Sequence, residues 1–219
     1  MEKSKVIVDT CFLQKLSSEG KHPENIKKVL DELGVVPVCH PYIAKHEFGL
    51  YSYLDNLVKS GYIKEIPYDD FISEDVDKQL YEAYFMQLHE ELRLHLEAKN
   101  VSKKLPKLNE RKNLNIYETH MQGSSMGDVH MILMAVYTGL PVILTEDQDI
   151  EVLRTLAKRR MNFGSYSLDI YNGIDLVRQI ATKSDAILSK KELEQILKAM
   201  GERKYCSEIK TIWNENHKL

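Results

Sequence analysis

The chain has 219 residues, of which 43% are hydrophobic and 29% charged, and a formal net charge of −3. That length allows one large domain with a real core, the balance excludes a disordered chain, and no apolar run approaches the roughly 20 residues of a membrane helix. With a pI of 6.3 nothing global advertises nucleic-acid binding, so a polyanionic partner has to be met by a local basic patch.

Met1 to Lys5 leads straight into Val6-Ile7-Val8 without the longer apolar stretch of a signal peptide, so a cytosolic protein is expected. Lys5 to Asp9 is a β-branched run without polar alternation, the pattern of a strand buried on both faces of a parallel sheet. A helical pattern from Pro23 to Leu33 follows, then a second strand at Val35 to Cys39, in which Pro37 predicts an edge or irregular position. Tyr42 to about Val58 reads as the next helix. Residues 69–122 interrupt the alternation. Within them Val76, Leu80, Tyr84, Leu88 and Leu92 recur every four residues and predict one long amphipathic helix over 74–98. After it, Lys99, Lys103, Lys104, Lys107, Arg111 and Lys112 form a basic loop against a single acid, Glu110.

The alternation resumes with a helix from Asp128 to Thr138 closed by Gly139, a strand at Pro141 to Thr145 and a helix from Ile150 to Arg160. A weaker strand at Ser165 to Asp169 and a helix from Asn172 to Ala181 complete it. Ser189-x-x-Glu192 is a capping box that opens a terminal helix, with Trp213 as its anchor. Strand and helix in alternation predict an α/β fold with a mostly parallel central sheet flanked by helices. The expected organisation is a domain over 1–182 with a helical insertion at 69–122, and a helical tail over 183–219. Cys11, Cys39 and Cys206 are odd in number and widely spaced, so they read as small buried hydrophobes.

Ligands of open α/β sheets bind beyond the carboxyl ends of the strands, and acids gather there in this sequence. Asp9 closes the first strand, with Thr10 after it. Thr145-Glu146-Asp147-Gln148-Asp149 follows the strand at 141–145. Glu47 shares a helix face with Ile43, Leu50, Leu54 and Leu57, and Asp128 shares one with Ile132 and Ala135, so both carboxylates point inward. Asp9, Asp128 and Asp149 each have an ordinary explanation as helix N-caps. Together, acids at several strand ends repel one another unless a cation neutralises them, and Mg²⁺ or Mn²⁺ takes oxygen ligands of this kind. The histidines never reach H-E-x-x-H spacing, and there is no P-loop or G-x-G-x-x-G.

In this order, Val8-Asp9-Thr10 with Leu13, Tyr42 to Phe48 with Glu47, Gly127-Asp128 with Ile132 and Ala135, and Leu144-Thr145-x-Asp147-x-Asp149, the sequence resembles the PIN-domain nucleases. The resemblance covers about residues 5–68 and 123–180, and implies a three-layer fold. It also implies a metal-dependent endoribonuclease whose Asp9, Glu47, Asp128 and Asp147 hold Mg²⁺ or Mn²⁺, with Asp149 accessory. Thr10 and Thr145, and the basic Lys103, Lys104, Lys107, Arg111 and Lys112, are the expected substrate contacts, with RNA the expected partner. A homo-oligomer, and for a toxin-like role a neutralising protein partner, are compatible with it. The competing expectation is a non-catalytic nucleic-acid- or protein-binding module on the same fold.

Overall fold

The computed structural model describes residues 3–161 and 163–217. Met1 and Glu2, and the last two residues of the C-terminal tail, lie outside them. Val6, Ile7 and Val8 are buried, and they form β1 (Lys5–Val8) at the middle of a five-stranded sheet. Its neighbours are β2 (Val36–Cys39), β3 (Lys64–Glu65), β4 (Val142–Leu144) and β5 (Asp169–Tyr171), in the order β3-β2-β1-β4-β5 with every pair parallel. The chain is therefore α/β, as the alternation of strand and helix predicts. No helix of the described residues is long and apolar enough to cross a membrane.

Pro37 does not place β2 at an edge, because β3 covers it. Val36 N–H donates to Ser4 O on the β1 side, so the Pro37 nitrogen faces the β3 side. There the two residues of β3 pair only with Val38 and Cys39, so no ladder bond is missed. The expected strand at 165–169 lies instead at Asp169–Tyr171, because Tyr166 is turned to donate its hydroxyl to Ala135 O and Leu140 O.

The helices pack in two sets. One set comprises α1 (Thr10–Leu16), α2 (Glu24–Leu33), α8 (Gly173–Thr182), α9 (Lys190–Ala199) and α10 (Cys206–Asn216). The other comprises α3 (Pro41–His46), α5 (Asp75–Ala98), α6 (Met126–Thr138) and α7 (Asp149–Arg160), while α4 (Ser52–Lys59) follows α3 after a break. Helix α5 lies outside the sheet topology, yet it packs on α6 and α7 as part of a flanking layer. Its buried stripe is Tyr81, Phe85, Leu88, Leu92 and Leu96, and the expected members Val76 and Leu80 are exposed. The four-residue spacing drifts round a helix of 3.6 residues per turn, and the structure follows the later stripe.

The tail is held by a buried carboxylate. Glu32, near the end of α2, accepts the backbone N–H groups of Ile187 and Leu188 and the ammonium of Lys183. The capping box at Ser189 and Glu192 opens α9 as expected. The buried anchor of α10 is Ile209, whereas Trp213 is half-buried and stacks on His217.

Candidate functional site

With order 3-2-1-4-5, the chain direction round the sheet reverses between β1 and β4, and the carboxyl ends of those strands are where an α/β sheet opens a crevice. A cleft of 430 Å³ lies there, and Asp9, Glu47, Asp128 and Asp147 all line it. They arrive from four parts of the chain. Asp9 follows β1 and caps α1, accepting the Thr10 N–H at 2.6 Å. Asp147 follows β4. Asp128 is the third residue of α6 rather than its cap, which is Ser125.

Glu47 sits where the expected helix over 42–58 breaks. Helix α3 ends at His46, residues 48–50 make a 3₁₀ turn, and α4 restarts at Ser52. The break leaves Leu50 exposed, while Ile43 and Leu54 remain buried. Glu47 Oε1 lies across Gly127, so a side chain at that position would push the carboxylate out of its present place.

Each carboxylate is held by donors. Asp9 Oδ2 accepts from Thr145 Oγ1 at 2.7 Å and from Cys11 Sγ at 2.6 Å, and Thr10 Oγ1 donates to Glu47 Oε2. The expected substrate contacts Thr10 and Thr145 are thus occupied in positioning acids. Asp147 N–H donates to Thr145 Oγ1, and Asp147 Oδ1 accepts from Asp149 N–H at 2.8 Å. Asp149 is the first residue of α7 rather than its cap, and its Oδ2 takes the Lys103 ammonium at 2.6 Å.

The charge balance shows in the protonation equilibria. Burial pushes the Asp9 carboxyl up against the pull of its three hydrogen bonds. Burial and the Asp9 charge push Glu47 up to about 7. Burial, with the charges of Asp9 and Asp147, holds Asp128 well above the usual carboxylate range. Negative charge in this cleft is under-compensated. Burial and the Asp9 charge likewise raise the Cys11 thiol, which stays protonated and donates.

Of the basic residues expected at the substrate, Lys103 lines the cleft. Lys104, Lys107, Arg111 and Lys112 are exposed and do not line it, with Lys107 paired to Glu110 and Arg111 beside a separate groove with Lys78 and Glu82. Several residues that line the cleft were not foreseen as functional. Cys11 is half-buried in the site rather than a core hydrophobe, Tyr42 lines its wall, and Ser125 sits beside Asp128. Ser125 has φ +55, and its buried hydroxyl lies close enough to Asp128 to lower that carboxyl's equilibrium by hydrogen bonding, with no other partner among the described residues. Position gives the only sequence signal for any of them: Cys11 stands two residues after Asp9, and Ser125 three before Asp128.

A divalent cation fits this donor set by its chemistry. The carboxylates offer only hard oxygens, Lys103 is the one cation set against four of them among the described lining residues, and the Ser125 hydroxyl at the edge has no partner beyond its neighbour Asp128. Among the described residues no three Asp, Glu, His or Cys side chains are already gathered tightly enough to hold an ion. Comparisons of the chain with models of known families, with curated proteins and with solved structures returned no significant match.

Proposed function

We propose that the chain is a metal-dependent nuclease of the PIN-domain kind, acting as an endoribonuclease. The observation that carries the reading is that four carboxylates, from four separate segments, line one cleft at the switch point of a parallel sheet with their charge under-compensated. Asp9, Glu47, Asp128 and Asp147 would hold Mg²⁺ or Mn²⁺, with Asp149 accessory. A bound ion of this kind supplies activation of water and neutralisation of charge on the phosphoryl group.

The chain's own residues supply orientation. Thr145, Cys11 and the Thr10 amide fix Asp9, and Thr10 Oγ1 fixes Glu47, so these two carboxylates are locked before any ligand arrives. With the cleft empty of metal, Glu47 holds a proton up to about pH 7, so a divalent cation that binds there would displace that proton. The resemblance implies that attack by water breaks the P–O3′ bond and leaves a 5′-phosphate and a 3′-hydroxyl. The second reading, a non-catalytic binding module, is favoured by one observation: Lys103 already pairs with Asp147 and Asp149.

The test is a panel of single-stranded and structured RNA and DNA, incubated with Mn²⁺, Mg²⁺ or EDTA. Cleavage of RNA with either ion and none with EDTA is the expected result. Cleavage unaffected by EDTA overturns the metal role, and binding without cleavage under every condition favours the second reading.

A further inference from the structure

Among the described residues Lys103 is the only lysine or arginine that lines the acidic cleft, and it reaches there from the loop after α5 while its basic neighbours stay outside. Its Nζ lies 2.6 Å from Asp149 Oδ2 and 3.5 Å from Asp147 Oδ2. Asp147 Oδ1 is already taken by the Asp149 amide, so the oxygen that Lys103 faces is the one Asp147 has left for a ligand. The ammonium is about one-third exposed and belongs both to the cleft and to the adjoining groove with Cys11 and Glu146. Its ammonium is thus held by two carboxylates at once, one of them at full hydrogen-bond distance.

We propose that Lys103 is an internal counterion that competes with a divalent cation for Asp147 and Asp149. The proposal rests on the metal-dependent reading given above. Two cations cannot share one carboxylate oxygen without strong repulsion, so loading the cleft with metal requires the ammonium to leave. It has a ready destination. A phosphodiester brings negative charge to the mouth of the cleft, and a lysine on a loop can move onto it. Metal and nucleic acid therefore bind cooperatively in the natural protein: each helps to withdraw Lys103 from the position the other needs vacated, and the coupling is reciprocal.

Calorimetric titration of the full chain with Mn²⁺ alone tests the competition. Lys103→Met keeps the length of the side chain and removes the charge, and it should bind Mn²⁺ tighter by about tenfold or more, the scale on which one adjacent charge shifts a carboxylate's affinity for a proton. Lys103→Arg should match the natural protein. Lys104→Met removes the same net charge outside the cleft and should shift the affinity far less. Adding a single-stranded phosphorothioate oligonucleotide, which resists cleavage, should tighten Mn²⁺ on the natural protein and leave Lys103→Met nearly unchanged. Equal Mn²⁺ affinity for the natural protein and Lys103→Met overturns the inference while leaving the metal site standing, and so does an equal gain in Lys104→Met. No Mn²⁺ binding by either protein at millimolar concentration overturns the metal site and the inference together.

Discussion

Helices α3 and α6 each carry two polar sets, and the sets are opposites. Glu47 and Asp128 face the cleft. His40, at the start of α3, and His130, two residues after Asp128, face the interior with no exposure. The interior set closes completely. Tyr42 N–H donates to His40 Nδ1 at 3.0 Å, so a neutral His40 carries its proton on Nε2 and donates to Tyr81 Oη at 3.0 Å. Tyr81 then donates to His130 Nδ1 at 2.8 Å, and His130 Nε2–H donates to Ile116 O at 3.0 Å. Every polar atom of the three side chains is used and no net charge is present, which is how a buried polar network becomes structural. The cleft set is the reverse: it is crowded with like charge and short of cations, with Lys103 alone among the described lining residues set against four carboxylates. Buried polar groups that balance hold a fold together. Those that do not balance mark where a ligand is expected.

The most severe break of this comparison is Asp128→Asn. The cap explanation for Asp128 is gone, since Ser125 holds the cap position, so the substitution removes only charge. Metal-dependent cleavage should fall by orders of magnitude, while the melting temperature in EDTA should stay level or rise because one of several mutually repelling carboxylates is neutral. A folded variant that cuts at the normal rate returns Asp128 to an ordinary helix residue. Tyr81→Phe is the mirror experiment. It strands His40 Nε2–H and His130 Nδ1 in the core, and each unsatisfied buried group costs about 1–3 kcal/mol, so a loss of roughly 2–5 kcal/mol is expected by denaturant unfolding. A loss below that of a typical surface substitution would show the network to be incidental.

Acid sharpens the same contrast because the two sets titrate with opposite sign. Glu47 binds its proton more tightly folded, near 7 against an ordinary 4.5, so lowering the pH through that window stabilises the fold. His130 is pushed by burial down to about 3 from an ordinary 6.5, so lowering the pH below 6.5 favours the unfolded chain, which takes up the proton first. His40 shifts in the same direction as His130, and Asp9 and Asp128 in the same direction as Glu47. Between pH 4.5 and 6.5 the two sets oppose each other, each group contributing a slope of at most about 1.4 kcal/mol per pH unit. Glu47→Gln removes one of the carboxylates whose charge destabilises the fold at high pH. In EDTA it should be more stable than the natural protein at pH 8, by about 2 kcal/mol, and lose that advantage steadily toward pH 4.5. Parallel stability curves for the two proteins would mean that Glu47 is not strained by its charge.

These two polar sets were not equally legible in the sequence. Asp9 and Asp147 follow strands and Asp128 lies in a first helical turn, positions that local pattern reveals, so the acids lining the cleft could be named from the sequence. The relay could not, because His40, Tyr81 and His130 are separated by 41 and 49 residues and meet only when α5 packs on α6. Strand β3 was hidden for a related reason: Lys64 and Glu65 are exposed and charged, and only pairing with Val38 and Cys39 makes them a strand. The break at Glu47 was missed because Ile43, Leu54 and Leu57 keep helical spacing across it, with Leu50 the one exposed member. The basic loop was visible as composition, but which of its lysines enters the cleft depends on where the loop folds back.

Ser125→Gly carries the smallest expected effect and divides fold from site most cleanly. Ser125 caps α6 by position only, since its side chain makes no capping bond, and its φ of +55 is a left-handed conformation that costs a non-glycine residue about 1 kcal/mol. Glycine adopts that conformation freely and is an acceptable N-cap, so the variant should be as stable as the natural protein or gain up to about 1 kcal/mol. The natural chain nevertheless carries a hydroxyl here, buried beside Asp128 and with no partner other than that carboxylate among the described residues. If that hydroxyl is kept for a ligand of the cleft, Ser125→Gly should lower cleavage or Mn²⁺ affinity severalfold while the melting temperature holds or rises. A gain in stability with unchanged cleavage and metal binding would leave the strain at Ser125 without a functional reason, and would confine the site to its carboxylates and Lys103.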